Sequence, residues 1–326
     1  MVALNRTRSR FALIAALLVG LSAVGSGARA EETVRVGTSA IGSYIFELLD
    51  VGSGAGIFAK HDIKLERTDF AGGGQLAQGI SAGAVDIALS GSTDLVFIAK
   101  GMPAKAVTMV SAAPVDFAIM VRSDGEIVKP EQLKGKRIGV TSPTSLTAWL
   151  ALDFAKRQGW QASDITLAFI GSTPSELAAL QVKNIDAFVG NAQAGYVLEE
   201  KHQGSALVTF DYLTTYITHI LYASDALIND HPKAVHDFIA AWFDIVKFAR
   251  ANKDETIRLS MPGTKLSREV AAKTYDVQTP VLSLTGRFEP QALQALAQSF
   301  IDLHLLDKLP PLSELYTEKF LPSQPN

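Results

Sequence analysis

The sequence predicts an α/β protein built from two similar lobes, with a crevice for a small molecule between them. Segments 72–91 and 172–191 align without gaps as turn, short helix, strand and turn. A similar apolar segment ending in hydroxyl side chains precedes each copy, at 35–39 and 137–142. Predicted strands alternate with helices in both halves, a pattern typical of parallel sheets. Because open α/β sheets bind ligands beyond the carboxyl ends of their strands, two such lobes predict a clamp.

The N-terminal segment, residues 1–30, has the features of a signal peptide. Three arginines precede an apolar run at 11–24, and Ala28-Arg29-Ala30 fits a small-x-small cleavage site. The apolar run is shorter than the roughly 20 residues that a membrane-spanning helix needs. We therefore predict export and cleavage after Ala30. An uncleaved membrane anchor is the alternative.

Charge and cysteine content exclude several classes of function. Removing the four arginines of the signal segment from 30 basic residues leaves 26 against 33 acidic ones, a net charge of −7. This balance, without any basic stripe, argues against nucleic acid as a partner. The chain has no cysteine, which excludes disulfides, thiolate metal sites and a lipid-modified cysteine. An exported binder without a lipid anchor needs a second membrane to retain it, so we expect a periplasmic protein without metal or cofactor.

The first lobe is predicted to alternate strands and helices from its first residue onward. The helix at 43–60 has an apolar, small-residue face, and the glycine run at 72–74 marks the turn before the next helix. The predicted strands are 34–38, 63–70, 85–90 and 104–111, and the predicted helices are 43–60, 75–82 and 93–99.

The second lobe repeats this order. Its predicted strands are 137–141, 165–170, 187–190 and 206–210, and its predicted helices are 145–158, 175–182 and 194–202. Two further strand-like segments, 117–122 and 216–223, are predicted to form the two crossings of a hinge. The first lobe then comprises 31–117 plus 223–326, and the second lobe comprises 118–222.

The last hundred residues are predicted to be helical and to pack against the first lobe. Pro232 and Pro290 stand at plausible helix starts, and apolar residues follow each at helical spacing. Their aromatic side chains fit a core face better than a ligand site.

Four stretches of the mature chain occur in the order of a known family. They are Gly56-Ile57-Phe58-Ala59-Lys60-His61-Asp62-Ile63, Gly83-Ala84-Val85-Asp86-Ile87-Ala88, Leu133-Lys134-Gly135-Lys136-Arg137-Ile138-Gly139-Val140 and Ile185-Asp186-Ala187. The chain resembles the periplasmic substrate-binding proteins of ABC importers of the nitrate/sulfonate/taurine type, whose relatives bind pyrimidine precursors. The resemblance implies the type II periplasmic binding protein fold, with two α/β lobes joined by a two-strand hinge. It also implies a monomer that delivers a small-molecule solute to an ABC permease in the inner membrane.

The sequence departs from this family at two places in the expected cleft. Gly190-Asn191-Ala192-Gln193 stands where many relatives have tryptophan or glutamate followed by proline. Ser43-Tyr44-Ile45-Phe46 replaces the proline and small residues often seen at the first helix. The resemblance therefore leaves the solute open among sulfonate, nitrate, bicarbonate, carboxylate and pyrimidine precursor.

The turns before the helices are the candidate ligand-binding sites. A helix N-terminus carries unpaired amide donors and about half a positive charge, which suits an anionic or polar head group. The predicted ligand-binding residues are Ser39, Ser43, Tyr44, Gly73, Gly74, Gln75, Ser92, Thr93, Ser142, Thr144, Ser145, Thr173, Asn191 and His219. The hydroxyls are equally consistent with helix caps, the glycines with a plain tight turn, Tyr44 with an ordinary buried tyrosine and His219 with a hinge residue.

Other motifs favour structure over chemistry. Asp86 and Asp186 begin strands and are expected to bind local backbone amides. The run 72–77 matches a relaxed dinucleotide pattern, but it follows the second strand, and Asp94 falls at another turn.

Two kinds of function remain, and the binding module is favoured. The chain is expected to clamp a small organic anion, with a sulfonate such as taurine as first choice, and to catalyse no reaction. The alternative is an exported hydrolase or transferase with Ser142 or Ser145 as nucleophile and His219 as base, which needs these side chains within hydrogen-bond reach. A sensory receptor partner in place of a permease is a third, weaker possibility.

Overall fold

The fold is taken from a computed structural model that describes residues 31–114, 116–302 and 304–322. The predicted signal peptide, residues 1–30, lies outside the described residues. The described chain contains two five-stranded sheets, each flanked by helices.

The first sheet has the order β2-β1-β3-β10-β4. Its strands are β1 (Glu32–Thr38), β2 (Ile63–Asp69), β3 (Ile87–Gly91), β4 (Ala104–Ala112) and β10 (Ile217–Ser224). The second sheet has the order β7-β6-β8-β5-β9. Its strands are β5 (Phe117–Arg122), β6 (Arg137–Val140), β7 (Thr166–Phe169), β8 (Ala187–Asn191) and β9 (Gly204–Thr209). The two orders match strand for strand, so the predicted duplication extends to the topology.

The strands predicted to alternate with helices are parallel to one another in each sheet, but each sheet also contains one of the predicted hinge strands, which runs in the opposite direction. β1 pairs in parallel with β2 and β3, but β10 runs antiparallel to both β3 and β4. In the second sheet β5 likewise runs antiparallel to β8 and β9. Each of these strands starts close to where a strand of the other sheet has just ended. It therefore begins at the end of the sheet where the two strands beside it finish, and it runs antiparallel to both of them.

The two predicted hinge crossings each lie within one sheet. The chain changes sheet in the short connections 113–116 and 210–216, which flank β5 and β10. Sheet membership places β10 with the first sheet, whereas the predicted second lobe, 118–222, included most of that strand. The reason is that β10 pairs with β4 from Ile217 to Ser224 and with β3 from His219 to Ala223.

The helices cover both sheets and the C-terminal region. They are α1 (Tyr44–Gly54), α2 (Ile57–Lys60), α3 (Gly73–Ser81), α4 (Leu95–Ala99), α5 (Leu146–Arg157), α6 (Thr173–Gln181), α7 (Ala192–Glu200), α8 (Asp225–Asp230), α9 (Pro232–Ala251), α10 (Lys253–Thr264), α11 (Arg268–Gln278) and α12 (Pro290–Asp302). Pro232 and Pro290 are the first residues of α9 and α12, as predicted. None of the helices within the described part of the chain has the length and hydrophobicity of a membrane span.

The C-terminal helices contact both lobes rather than the first alone. α9 packs on α1 and α2, where Trp242 and Phe238 are fully buried in the core beside the first sheet. α11, however, makes its largest contact with α7, which follows a strand of the second sheet. Packing between α7 and α11 thus joins the two halves away from the sheets.

Asp86 and Asp186, which occupy equivalent positions in the two copies, have the structural role that was predicted. The Asp86 carboxylate accepts hydrogen bonds from the Arg35 backbone amide and its Nε, both at 2.9 Å. The Asp186 carboxylate accepts a hydrogen bond from the Arg137 backbone amide at 2.9 Å. Each aspartate therefore fastens the start of one strand to its parallel neighbour, at the end remote from the carboxyl ends of those strands.

Candidate ligand-binding cleft

A cleft lies where the carboxyl ends of the strands of both sheets meet, and its cavity volume is about 90 Å³. The first lobe lines it with Ser39, Ala40, Ser43, Phe46, Gly72, Gly73, Ser90, Gly91, Thr93, Asp94 and His219. The second lobe lines it with Phe117, Thr141, Ser142, Ser145, Leu146, Thr147, Thr173, Glu176, Val189, Gly190 and Asn191. This is the position that ligands take in open α/β sheets.

Most of the predicted ligand-binding residues border this cleft. They are Ser39, Ser43, Gly73, Thr93, Ser142, Ser145, Thr173, Asn191 and His219. Their contact with a solute stays a prediction, but the turns that carry them do converge.

Five predicted residues do not border the cleft. The Tyr44 hydroxyl is hydrogen-bonded to Thr279 at 2.7 Å, inside the core. The Ser92 hydroxyl donates to the Ile217 carbonyl, and the exposed Gln75 folds back so that its Oε1 accepts from the Ala71 amide. Gly74 lies outside the cleft facing Phe97, and Thr144 is half-buried outside it.

Several cleft hydroxyls also serve as helix caps. Ser145 precedes α5, and its Oγ accepts from the Ala148 amide at 3.2 Å while donating to the Ser142 carbonyl at 2.7 Å. Asn191 precedes α7 and accepts from the Ala194 amide. At the first turn of α3, by contrast, the N-cap is Gly72, with φ of 106°, and it provides no side-chain cap. The start of α3 thus presents backbone to the cleft without a side chain in between.

His219 forms part of an aromatic wall and is uncharged at neutral pH. Its ring lies edge-on to Phe46 and stacked with Phe117, with centroids 5.6 Å and 6.3 Å away. Its Nδ1 is hydrogen-bonded to the Ser111 hydroxyl at 2.9 Å. Burial lowers the pKa of His219 to about 4, because the charged ring would lose its hydration.

Asp94 is a buried carboxyl that the sequence did not mark as part of the cleft. It is 3% exposed, and its Oδ2 accepts a hydrogen bond from the Ser90 hydroxyl at 2.5 Å. Burial raises the pKa of Asp94 to about 7. A Cβ atom on Gly73 would lie 2.0 Å from Asp94 Oδ1, so the first turn of α3 rests directly against this carboxyl.

Glu176 is the second buried carboxyl of the cleft, and it was also missed. It lies near the start of α6, is 1% exposed, and neither of its carboxylate oxygens has a hydrogen-bond partner among the described residues. Burial raises the pKa of Glu176 to about 8. The signal was present in the duplicated segments, because Glu176 stands where the first copy has Leu76, an ordinary core position.

The cleft therefore carries acidic groups without basic ones. Asp94 and Glu176 are its only carboxyls, and no lysine or arginine lines it within the described chain. The remaining polar groups are hydroxyls, amides and the neutral His219 ring. No group of metal-ligating side chains was found in the part of the chain that the structure describes.

Gln193 joins the two walls of the cleft. Its Nε2 donates to the Gly42 carbonyl at 2.7 Å, and its Oε1 accepts from the Tyr44 backbone amide at 3.1 Å. Beside this contact, a Cβ on Gly72 would lie 3.8 Å from Ser142 Cβ. The two walls are thus joined by hydrogen bonds through Gln193, and the Gly72 backbone lies near Ser142 with no side chain of its own between them.

Two duplicated, mixed sheets that face each other across a polar cleft define the fold of the periplasmic binding proteins. The chain belongs to the NMT1/THI5 like family, whose family model matches residues 50–256. Comparison with curated protein sequences found no match.

Solved structures show the same fold at low sequence identity. The ligand-binding component of an ABC-type import system from Staphylococcus aureus is 15% identical, with a TM-score of 0.74 over 89% of this chain and 97% of that one. The alkanesulfonate-binding protein SsuA from Xanthomonas axonopodis pv. citri, bound to MOPS, is 19% identical, with a TM-score of 0.74 over 87% and 96%. The desulfurization enzyme DszB is 15% identical, with a TM-score of 0.66 over 89% and 97%.

Proposed function

We propose that this protein is the solute-binding component of an ABC importer, exported to the periplasm and processed after Ala30. It closes its two lobes on a small solute and presents the closed form to an inner-membrane permease. The observation that carries this proposal is the cleft itself, which both lobes line and which Gln193 closes by bonding to Gly42 and Tyr44. A solute that contacts both walls favours the closed state, as ligand-driven closure requires.

The favoured solute is a small sulfonate of the taurine type. One structural neighbour with this fold is the ligand-binding component of an ABC-type import system, and another is an alkanesulfonate-binding protein. The cleft offers neutral donors to an acidic head group, since the hydroxyls of Ser39, Ser142 and Thr173 and the uncapped start of α3 border it.

An exported enzyme is the alternative, because the structural neighbour DszB is a desulfurization enzyme. The nucleophile and base considered from the sequence are not paired, however. His219 is bonded to Ser111, and the Ser145 hydroxyl is engaged by Ser142, Thr147 and the Ala148 amide. This chain also contains no cysteine to act as a nucleophile. These contacts favour binding over catalysis.

A thermal-shift screen of the exported protein tests the proposal against sulfonates, nitrate, bicarbonate, dicarboxylates and pyrimidine precursors. A solute at 100 times its dissociation constant should stabilise the protein by about 2.7 kcal/mol. Small-angle scattering should show compaction with the same solute, and the solute should be recovered chemically unchanged.

Two variants control for the site of binding. Ser142→Phe places a large side chain in the cleft and should remove the shift. Ser205→Phe makes the same change at an exposed position of β9 and should keep it. A shift that survives Ser142→Phe, or conversion of the solute to a product, would contradict the proposal.

A further inference from the structure

We propose that the solute of this cleft carries a protonated amine, which binds to the carboxylate of Glu176. The inference rests on the proposed function and narrows its solute class to an amine-bearing zwitterion, such as an aminoalkanesulfonate, rather than a simple anion. Three observations on the described residues support it: Glu176 has no hydrogen-bond partner among them, none of them places a cation in the cleft beside it, and a second carboxyl lies in the same cavity.

Glu176 is buried at the cleft with no internal partner. Neither carboxylate oxygen is hydrogen-bonded within the described residues, although the side chain is 1% exposed. Another buried glutamate of this chain, Glu47, shows the usual arrangement, because Arg67 donates two hydrogen bonds to it at 2.9 Å and 3.0 Å. A buried carboxyl without such a partner is costly, so its retention at a cavity wall points to a partner that arrives from the cavity.

Among the described residues, no lysine or arginine lines the cleft beside Glu176. Arg122, on the neighbouring strand β5, is occupied by the carbonyls of Leu180 and Ile185 and by the carboxylates of Asp124 and Glu126. The only other titratable side chains that line the cleft in the described chain are Asp94 and His219. His219 is neutral, since burial lowers its pKa to about 4. A positive charge at this site therefore has to belong to the ligand.

Asp94 adds a second carboxyl to the same cavity, on the wall of the first lobe. A simple anion would enter a cleft with two buried carboxyls and no compensating cation. A protonated amine would instead be attracted to these carboxyls, because it donates a charge-assisted hydrogen bond to the oxygens of Glu176. Burial raises the pKa of Glu176 to about 8, so binding of an ammonium group is expected to release a proton.

Matched solutes test the inference, because each pair differs by an ammonium group in place of a methyl group. Taurine is compared with 1-propanesulfonate, and β-alanine with butyrate, by titration calorimetry. The wild type should bind the amine member about tenfold tighter or better, as expected for a charge-assisted bond. Glu176→Gln keeps the size of the side chain and should remove most of that preference. Glu199→Gln, on the exposed part of α7, should leave it unchanged.

The outcomes separate this inference from the proposed function. Equal or tighter binding of the methyl members, or an amine preference that Glu176→Gln does not alter, overturns the inference and leaves solute binding intact. Failure of all four compounds counts against the sulfonate assignment of the proposed function. In that case ethanolamine and 1,3-diaminopropane are titrated in the same way, and lack of Glu176-dependent binding by both overturns the inference as well.

Discussion

The side chain of Gln193 bonds to the backbone of Tyr44 across the cleft, since the Tyr44 amide donates to Gln193 Oε1 at 3.1 Å. The other end of the same amide group donates to the Gly42 carbonyl at 2.7 Å. One side chain thus bonds to two backbone groups of the opposite lobe, so a separation of the lobes at this point would break both bonds.

Replacement of Gln193 by alanine should weaken solute binding without unfolding the protein. The closed state of the variant would lack two hydrogen bonds that contribute about 1 kcal/mol each, so we expect the affinity for the solute to fall about tenfold or more. Calorimetry measures the affinity, and scattering measures compaction. Gln181→Ala is the control, because the amide of Gln181 bonds to the Gln203 carbonyl within the second lobe. Unchanged affinity in Gln193→Ala would show that the contact plays no part in closure.

Replacing each of two adjacent glycines by alanine should change the stability of the protein in opposite directions. In Gly73→Ala the new Cβ would lie 2.0 Å from Asp94 Oδ1, so we expect a loss of about 1–3 kcal/mol in stability and weaker solute binding. In Gly74→Ala the nearest atom is Phe97 Cζ at 4.0 Å, and a helical alanine should raise stability by about 0.5–1 kcal/mol. Urea unfolding of both variants checks this contrast. Equal effects would mean that the first turn of α3 does not rest on Asp94.

The ligand-free protein should lose stability as the pH rises from about 4, the pKa of these carboxyls in the unfolded chain, to about 8, with no opposing effect of His219 above about pH 6.5. Burial raises the folded-state pKa of Asp94 to about 7 and of Glu176 to about 8, above their values in the unfolded chain, so the folded state holds protons that the unfolded state has released. Their stabilising effect is complete below the unfolded pKa values and disappears as pH rises through the folded ones. His219, with its pKa lowered to about 4, acts in the opposite direction only below about pH 6.5.

Thermal unfolding at several pH values tests this dependence. Glu176→Gln should flatten the decline between pH 7 and 8, because the amide does not titrate. Glu199→Gln, at an exposed site on α7, should leave the decline as it is in the wild type. A wild-type protein whose stability stays constant or rises over this range would argue that the two carboxyls are ionised in the folded state.

Asp186→Ala should lower stability and leave solute affinity unchanged. The Asp186 carboxylate accepts from the Arg137 amide at 2.9 Å at the start of β6, far from the cleft end of the strands. Loss of one partly exposed hydrogen bond is expected to cost about 1 kcal/mol. Denaturant unfolding together with calorimetry separates the two effects. A large drop in affinity would indicate that the strand starts influence the cleft.

The sequence predicted the fold well where local pattern decides it. The aligned copies at 72–91 and 172–191 predicted two matching sheets, because each copy carries its own turn, helix and strand signals. The direction of β10 was not predictable in the same way, since an apolar strand such as Ile217–Ser224 has the same periodicity in a parallel and an antiparallel sheet. Its direction depends on where the chain enters the sheet.

The site was predicted only in part, for a related reason. Helix-start residues such as Thr173 and Asn191 are recognisable locally, and they do border the cleft. Gln193 bonds to the opposite lobe, and Glu176 borders the cavity without a hydrogen-bond partner among the described residues. Neither of these long-range features produces a local sequence pattern. Tyr44 shows the converse, because a residue at a helix start turned its side chain into the core.

The path of the chain, which leaves the first sheet after β4 and returns to it only with β10, imposes an order on folding. β10 lies between β3 and β4, yet it follows the whole second sheet in the sequence. A chain that emerges from its N-terminus therefore cannot join β4 to the rest of the first sheet until residue 224 has appeared. The second sheet can close earlier, because all five of its strands are contiguous between 117 and 209. Since long-range pairing is slow, completion of the first sheet is expected to limit the folding rate, and the half that begins first is finished last.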